Sequence, residues 1–327
     1  MTQLERVAVI AGGLSSEREV SVRSGRRALW ALGEAGVDAV LYDADESLLD
    51  RLRGDRIDAA YVAVHGASGE DGSLQTALQL IGIPYVGPRP GACHLAWDKV
   101  VAKKLVGRAG LATPDWVAIS ARSFRELSPT RLVGAIADRL GLPVVVKPAT
   151  SGSTLGMSLV TDPAELPAAL VRCFTYGNLA LIEKYVAGVT VETVVIDEHG
   201  GPVALPPAAF TNPGTSPFSF EARYSPDLIT IEIPAPLPFP ALEATAAAAV
   251  TAHRALGLRD ISRTDVVVDE AGTPWFLEAA ISPGLTETSV LPLAAAESGR
   301  TLGSLLAELL RTAARRGPDP RPGGAAV

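Results

Sequence analysis

The first third of the chain alternates short, continuously apolar runs with helical periodicity, and this restricts the possible folds more than any other feature. The runs VAVIA, AVLYD and AAYVAV, at 7–11, 39–43 and 59–64, have the length and composition of buried strands. Helical patterns over roughly 17–35 and 72–81 lie between and after them. Strand–helix–strand order with runs apolar on both faces is the pattern of a parallel sheet covered by helices. Residues 6–87 are therefore expected to form a small parallel α/β domain. Its loops GGLSSERE and HGASGEDG leave the carboxyl ends of two strands, where ligands of open α/β sheets bind. Each loop also reads as an ordinary glycine-rich turn.

Composition narrows the partners. A net charge of −7 with no basic stripe argues against nucleic acid, which is gripped mainly by clustered Lys and Arg. The longest apolar runs fall short of a bilayer span, and the opening MTQLERVAVIAGG reads as a strand entering a turn rather than a signal peptide, so a cytoplasmic location is expected and no membrane partner. Cys93 and Cys173, the two cysteines, have no partner at metal-ligand spacing and read as packed thiols.

Two further units follow. From Asp98 to about Ile182 come a lysine-rich helix, the strand VVVKPA, the loop TSGSTLGM and another helix and strand, an α+β pattern. Lys147 ends the strand and the glycine loop follows almost at once, so an ammonium, hydroxyls and backbone amides stand together as an anion grip; a surface loop is the competing reading. Lys99 shares its helix with Lys103 and Lys104, and a solvated helix face is the ordinary explanation for three lysines. Glu183-Lys184 reads by itself as an exposed charge pair, His65 as a structural histidine, and Glu17 as a carboxylate favouring a helix N-terminus. The third unit, from Glu183 onward, holds strands, a long loop over 211–228, a helix over 240–255 and a hairpin. The final RRGPDPRPGGAAV is expected to be disordered.

That hairpin, SRTDVVVDEAGTPWFLEAA, places Asp265 and Glu278 in two apolar strands around the turn Asp269–Gly272, so the acids should face each other. Mg²⁺ is held by one or two carboxylates plus water and substrate phosphates, which makes such a pair a candidate nucleotide-phosphate site. A hairpin with two solvated acids fits the same residues. Serine-hydrolase, zinc-protease and dinucleotide signatures are absent.

Taken in order, GGLSSEREVSVRSG, HGASGEDGSLQ, the DK at 98–99, VKPATSGSTLGMS, LIEKYVAG, FSFEARY, SRTDV and LEAAISPGLTETS resemble the D-alanine:D-alanine ligases of the ATP-grasp superfamily over residues 6–312. The resemblance implies a three-domain α/β fold: a parallel α/β domain (1–97), then two α+β domains (98–182 and 183–315) clamping ATP, and a disordered tail (316–327). It implies ligation of two D-alanines through an acyl phosphate, for peptidoglycan synthesis, with ATP and Mg²⁺ or Mn²⁺. Small amino acids are then the substrates, and a homodimer is the expected assembly.

By position, the resemblance implies that Glu17 holds the first ammonium in a set with Ser153 and Tyr224, near His65. Lys99 and Lys147 bind ATP phosphates, and Glu183 with the backbone around Lys184 and Val186 binds adenine. Arg263 and the Gly284 amide stabilise the oxyanion, Asp265 and Glu278 ligate the metal, and Ser289 meets the second substrate's carboxylate. Departures from the family pattern are Ala280 for Asn, Arg223 for Lys beside the second substrate, Thr190 for Glu at the ribose with Glu192 placed to compensate, and Phe218 and Phe220 for tyrosines. Two alternatives accompany the leading reading: a ligase joining other amino or hydroxy acids in specialised metabolism or resistance, and a nucleotide-binding protein without turnover.

Overall fold

The computed structural model describes residues 4–152, 154–211 and 230–319. Strands β1 (Val7–Ala11), β2 (Ala39–Asp43) and β3 (Ala59–Val62) form a parallel sheet in the order β2-β1-β3. Its parity explains the continuous apolar runs. Val7, Val9 and Ala11 face one core with the helix Arg18–Glu34, whereas Ala8 and Ile10 face a second with Tyr42, Leu52 and Leu78.

Strands β4 (Trp116–Ser120), β5 (Val144–Pro148), β6 (Ser158–Val160) and β7 (Leu179–Lys184) make an antiparallel sheet in the order β4-β7-β5-β6. Val144, Val146, Ala180 and Ile182 pack beneath the helices Pro129–Leu140 and Leu166–Phe174. Alternation therefore turns Val145, Lys147 and Glu183 to the opposite face.

Strands β8 (Val189–Glu198), β9 (Gly201–Ala204), β10 (Ala208–Thr211), β11 (Thr230–Glu232), β12 (Ile261–Val268) and β13 (Pro274–Ala280) form the third sheet, ordered β11-β10-β8-β12-β13 with β9 on β8. The hairpin β12–β13 sets Asp265 directly opposite Glu278 as expected, but through a β-bulge: Val266 pairs with Phe276, so an unbroken ladder would have put Leu277 opposite Asp265. Its turn closes through the Gly272 amide, which donates to the Asp269 carbonyl at 2.9 Å.

Long-range packing redraws the expected boundaries. The division at 182/183 falls inside β7, because Glu183 and Lys184 pair with Trp116 and Val144 in the central sheet. The helix Lys99–Arg108 packs on the third unit: Ala102 and Val106 share a core with Phe276, Ala279 and Leu256, while Val100 meets the central sheet. The helix Leu302–Arg316 packs not on its own sheet but on the N-terminal one, where Leu305, Leu309 and Leu310 join Val7, Val9 and Leu32. Gly303 permits this contact, since a Cβ there would stand 2.1 Å from the Ala31 carbonyl oxygen. The tail expected to be disordered from 316 is packed at its start. Arg316 binds Asp260 at 2.7 Å, and buried Asp319 accepts from Arg259 at 2.9 Å, because those buried charges require partners. Residues 320–327 lie outside the described residues. Among the described residues no helix is long and apolar enough to cross a membrane.

Candidate active site

Two cavities lie along the face where the three sheets converge. The larger, about 350 Å³, opens between the central and third sheets; Val145, Tyr185, Val186, Val189 and Leu277 give it apolar walls, and Lys147, Glu183, Asp265 and Glu278 supply its charges. The smaller, about 70 Å³, lies between the N-terminal and third sheets, lined by Glu17, His65, Glu70, Glu192, Arg263, Gly284 and Ser289. Lys99, Ser151, Gly152 and Glu278 line both. The two cavities therefore adjoin at this four-residue junction.

At the junction Lys99 Nζ stands 3.3 Å from Glu278 Oε2 and donates to the Ser151 carbonyl at 2.5 Å. Glu278 faces Asp265 across the hairpin, and Glu192 on β8 pairs in register with Asp265 from the other side. Arg263, two residues before Asp265 on the same face, binds both its oxygens at 2.7 and 2.8 Å and lies 3.2 Å from Glu192. Burial favours a neutral guanidine, but Asp265 and Glu192 overcome this and raise Arg263 well above its usual range. Burial raises the Asp265 carboxyl, with Glu192 and Glu278 adding to the effect against the pull of Arg263. Three carboxylates share two cations here, so the surplus negative charge suits a divalent metal. Among the described residues no three His, Cys, Asp or Glu are arranged as a metal cage.

Of the two residues aligned near the ribose, Glu192 lines the smaller cavity beside Arg263, while Thr190 lines the larger one. Two residues along a strand advance about 6.7 Å on the same face. That step carries the side chain from one cavity to the next. Lys103, expected on a solvated helix face, is instead 1% exposed, with Nζ 2.6 Å from Glu183 Oε1. Lys147 holds the other Glu183 oxygen at 2.8 Å. Burial raises the Glu183 carboxyl, but the two lysines prevail and bring it below its usual range. Glu183 is thus no exposed charge pair. The i, i+4 spacing of Lys99 and Lys103 was the available signal, since it puts both on one helix face.

In the smaller cavity Glu17, at the start of the helix Arg18–Glu34, is 5% exposed and lies against the Gly152 backbone. The Ser15 hydroxyl donates to the His65 carbonyl at 2.8 Å and joins the two N-terminal loops. His65 is pushed down to about 4 by burial, with Arg263 adding to the effect, so its imidazole is neutral at physiological pH. Its Nε2 lies 2.9 Å from Ser24 Oγ, which accepts from the Leu285 amide at 3.2 Å. The ring therefore braces the 282–285 turn that presents the Gly284 amide. Ser289 Oγ accepts from the Thr286 amide at 3.0 Å at the start of the helix Val290–Glu297. Ser153, Arg223 and Tyr224, like Phe218 and Phe220, lie outside the described residues.

Glu70 was not among the expected residues. Burial pushes it up to about 8, with Glu17 adding to the effect, and its Oε1 accepts from the Gly66 amide at 3.1 Å. A carboxyl raised on folding stabilises the fold below its unfolded pKa, and that contribution is lost as pH rises through the folded value. Melting temperature should therefore fall as pH rises from about 4.5 to about 8. Glu70→Gln should flatten that slope in thermal scans without ligand; an unchanged slope would assign it to other groups.

Comparison with known proteins gives the family. The model for the D-alanine:D-alanine ligase C-terminus matches residues 105–311, and that for the N-terminus matches 49–88. The chain belongs to the D-alanine:D-alanine ligase family. The D-alanine–D-alanine ligase of Bordetella petrii is 35% identical over 97% of this chain and 94% of its own. The crystal structure of the Bacillus anthracis D-alanine–D-alanine ligase complexed with ATP superposes with a TM-score of 0.79 at 30% identity, covering 96% of this chain and 98% of that one. VanG D-Ala:D-Ser ligase from Enterococcus faecalis has a TM-score of 0.79 at 26% identity, covering 95% of this chain and 100% of that one. The fold is accordingly the ATP-grasp α/β fold, and the protein is an ATP-dependent ligase.

Proposed function

We propose that the chain joins two D-alanines into D-alanyl-D-alanine for peptidoglycan, with ATP in the larger cavity and both amino acids in the smaller one. The observation that carries this reading is the junction at Lys99, Ser151, Gly152 and Glu278, where the two cavities meet. Glu17 receives the first ammonium, a buried charge pair that orients the carboxylate toward the junction. There the carboxylate attacks the terminal phosphorus and ADP leaves, giving an acyl phosphate. Lys99 and Lys147 supply positive charge to the phosphates, since phosphoryl transfer depends on positioning and charge neutralisation. Asp265 and Glu278 would hold Mg²⁺ or Mn²⁺, which when bound neutralises phosphate charge. Glu183 and the backbone of Lys184 and Val186 receive the adenine.

The second D-alanine, its carboxylate at Ser289, attacks the acyl carbon with its neutral amine. Nε and Nη2 of Arg263 are committed to Asp265, so Nη1 is the edge offered, with the Gly284 amide, to the tetrahedral oxyanion. Collapse expels phosphate and leaves the dipeptide. Purified protein with ATP and Mg²⁺ is expected to release phosphate and dipeptide in equal amounts when D-alanine is added. Release only with another amino or hydroxy acid would replace D-alanine as substrate, and nucleotide binding without phosphate release would overturn the ligase reading.

A further inference from the structure

We propose that Lys103 is a positioning residue for the nucleotide base: it holds the Glu183 carboxylate ionised and aimed, and so leaves Lys147 available to the nucleotide. The proposal rests on the reading that Glu183 meets adenine, and it adds a residue that lines neither cavity. The Lys103 side chain is fully buried, and three oxygens from three separate segments surround its ammonium. They are Glu183 Oε1 on β7 at 2.6 Å, Thr113 Oγ1 before β4 at 2.6 Å, and the Phe276 carbonyl on β13 at 3.0 Å. Thr113 Oγ1 itself donates to the Phe276 carbonyl at 3.0 Å, which closes a triangle. The ammonium donates to Thr113 and to the Phe276 carbonyl, and meets Glu183 as a close ion pair.

Two cations share one carboxylate in this arrangement, and they are not equivalent. Lys147 lines the nucleotide cavity and is 8% exposed at its side chain, whereas Lys103 is sealed behind β7. Removing Lys147 from Glu183 toward a phosphate would strand a buried carboxylate if Lys103 were absent. With Lys103 in place, Glu183 keeps a counter-ion and Lys147 can exchange partners at little cost. The same ammonium ties β7, which carries the base-facing carboxylate, to β13, which carries Glu278 two residues beyond Phe276. Base and phosphates are thereby held at one spacing. A carboxylate acceptor at the base edge also discriminates, because adenine offers an amino group where guanine offers a carbonyl.

The test is calorimetric titration of the full chain with ATP and with GTP, in wild type, Lys103→Met and Thr113→Val. Lys103→Met is expected to weaken ATP binding about tenfold or more, the loss of one charge-assisted contact, and to narrow the preference for ATP over GTP. Thr113→Val keeps the charge but loses one brace, and a smaller shift in the same two quantities is expected. In steady state the KM for ATP should rise while that for D-alanine stays unchanged. Unchanged ATP affinity and base preference in folded Lys103→Met would overturn the proposal. Should that variant fail to fold, the same null result in Thr113→Val would overturn it. Because the titrations need no acceptor amino acid, a wild type that binds ATP but does not turn over sinks the ligase reading and leaves the role of Lys103 standing.

Discussion

Replacing Arg263 by Met should both weaken the fold and remove nearly all turnover. Its guanidinium is the counter-charge for Asp265, which it binds through two nitrogens, and for Glu192 at 3.2 Å. Both acids are buried, at 5% and 2% exposure. Met fills a similar volume without charge, so the packing survives and the electrostatics do not. Breaking a buried ion pair by removing one member costs about 3–5 kcal/mol, because the desolvation of the remaining charge is no longer offset by its counter-ion. Loss of one oxyanion donor adds about a 10²–10³-fold fall in kcat. Urea unfolding and dipeptide formation measure the two effects separately. Arg263→Lys should recover part of the stability but little of the rate, since an ammonium lacks the planar fork that fixes two donors on Asp265 and aims another edge at the cavity. Unaltered unfolding together with unaltered kcat in the Met variant would remove Arg263 from the site.

Gly152→Ala should separate activity from stability. A Cβ at Gly152 would stand 2.5 Å from Glu17 Oε2 and 2.9 Å from Oε1, inside any tolerable contact. The atoms that must yield are the end of a side chain, so the backbone keeps its course and the melting temperature should change little. The Glu17 carboxylate, however, is the proposed seat of the first ammonium. A displacement of about 1 Å at such a group can cost about 10²-fold in rate. The expected outcome is a fall of that order in kcat/KM for D-alanine with the KM for ATP nearly unchanged. Full activity in G152A would show that the substrate ammonium does not depend on Glu17 at this position.

The two variants probe different levels of legibility. Asp265 and Glu278 were readable as acids on the two strands of one hairpin, but their pairing depends on a bulge between Asp265 and Val266, since the register set by the turn would oppose Asp265 to Leu277. Lys147 was readable as the end of an apolar strand before a glycine loop, although its partner Glu183 was not. Glu183 and Lys103 looked like surface charges, since a Lys or Glu is usually solvated and only its neighbours reveal otherwise. Glu70 carried no signal beyond its place in a loop near a histidine; its burial against Glu17 depends on how the loop after β3 folds back.

Short-range periodicity by itself pointed to the parallel N-terminal sheet and to a hairpin carrying two acids, because strand and helix repeats are encoded within a few residues. Only tertiary structure decided that the helix Leu302–Arg316 completes the N-terminal core, that β7 carries Glu183 within the central sheet, and that Glu192 pairs with Arg263. Those contacts join segments separated by tens to hundreds of residues. Their selection rests on summed apolar burial and on the demand that every buried charge find an opposite one, and neither quantity exists until the three sheets have come together.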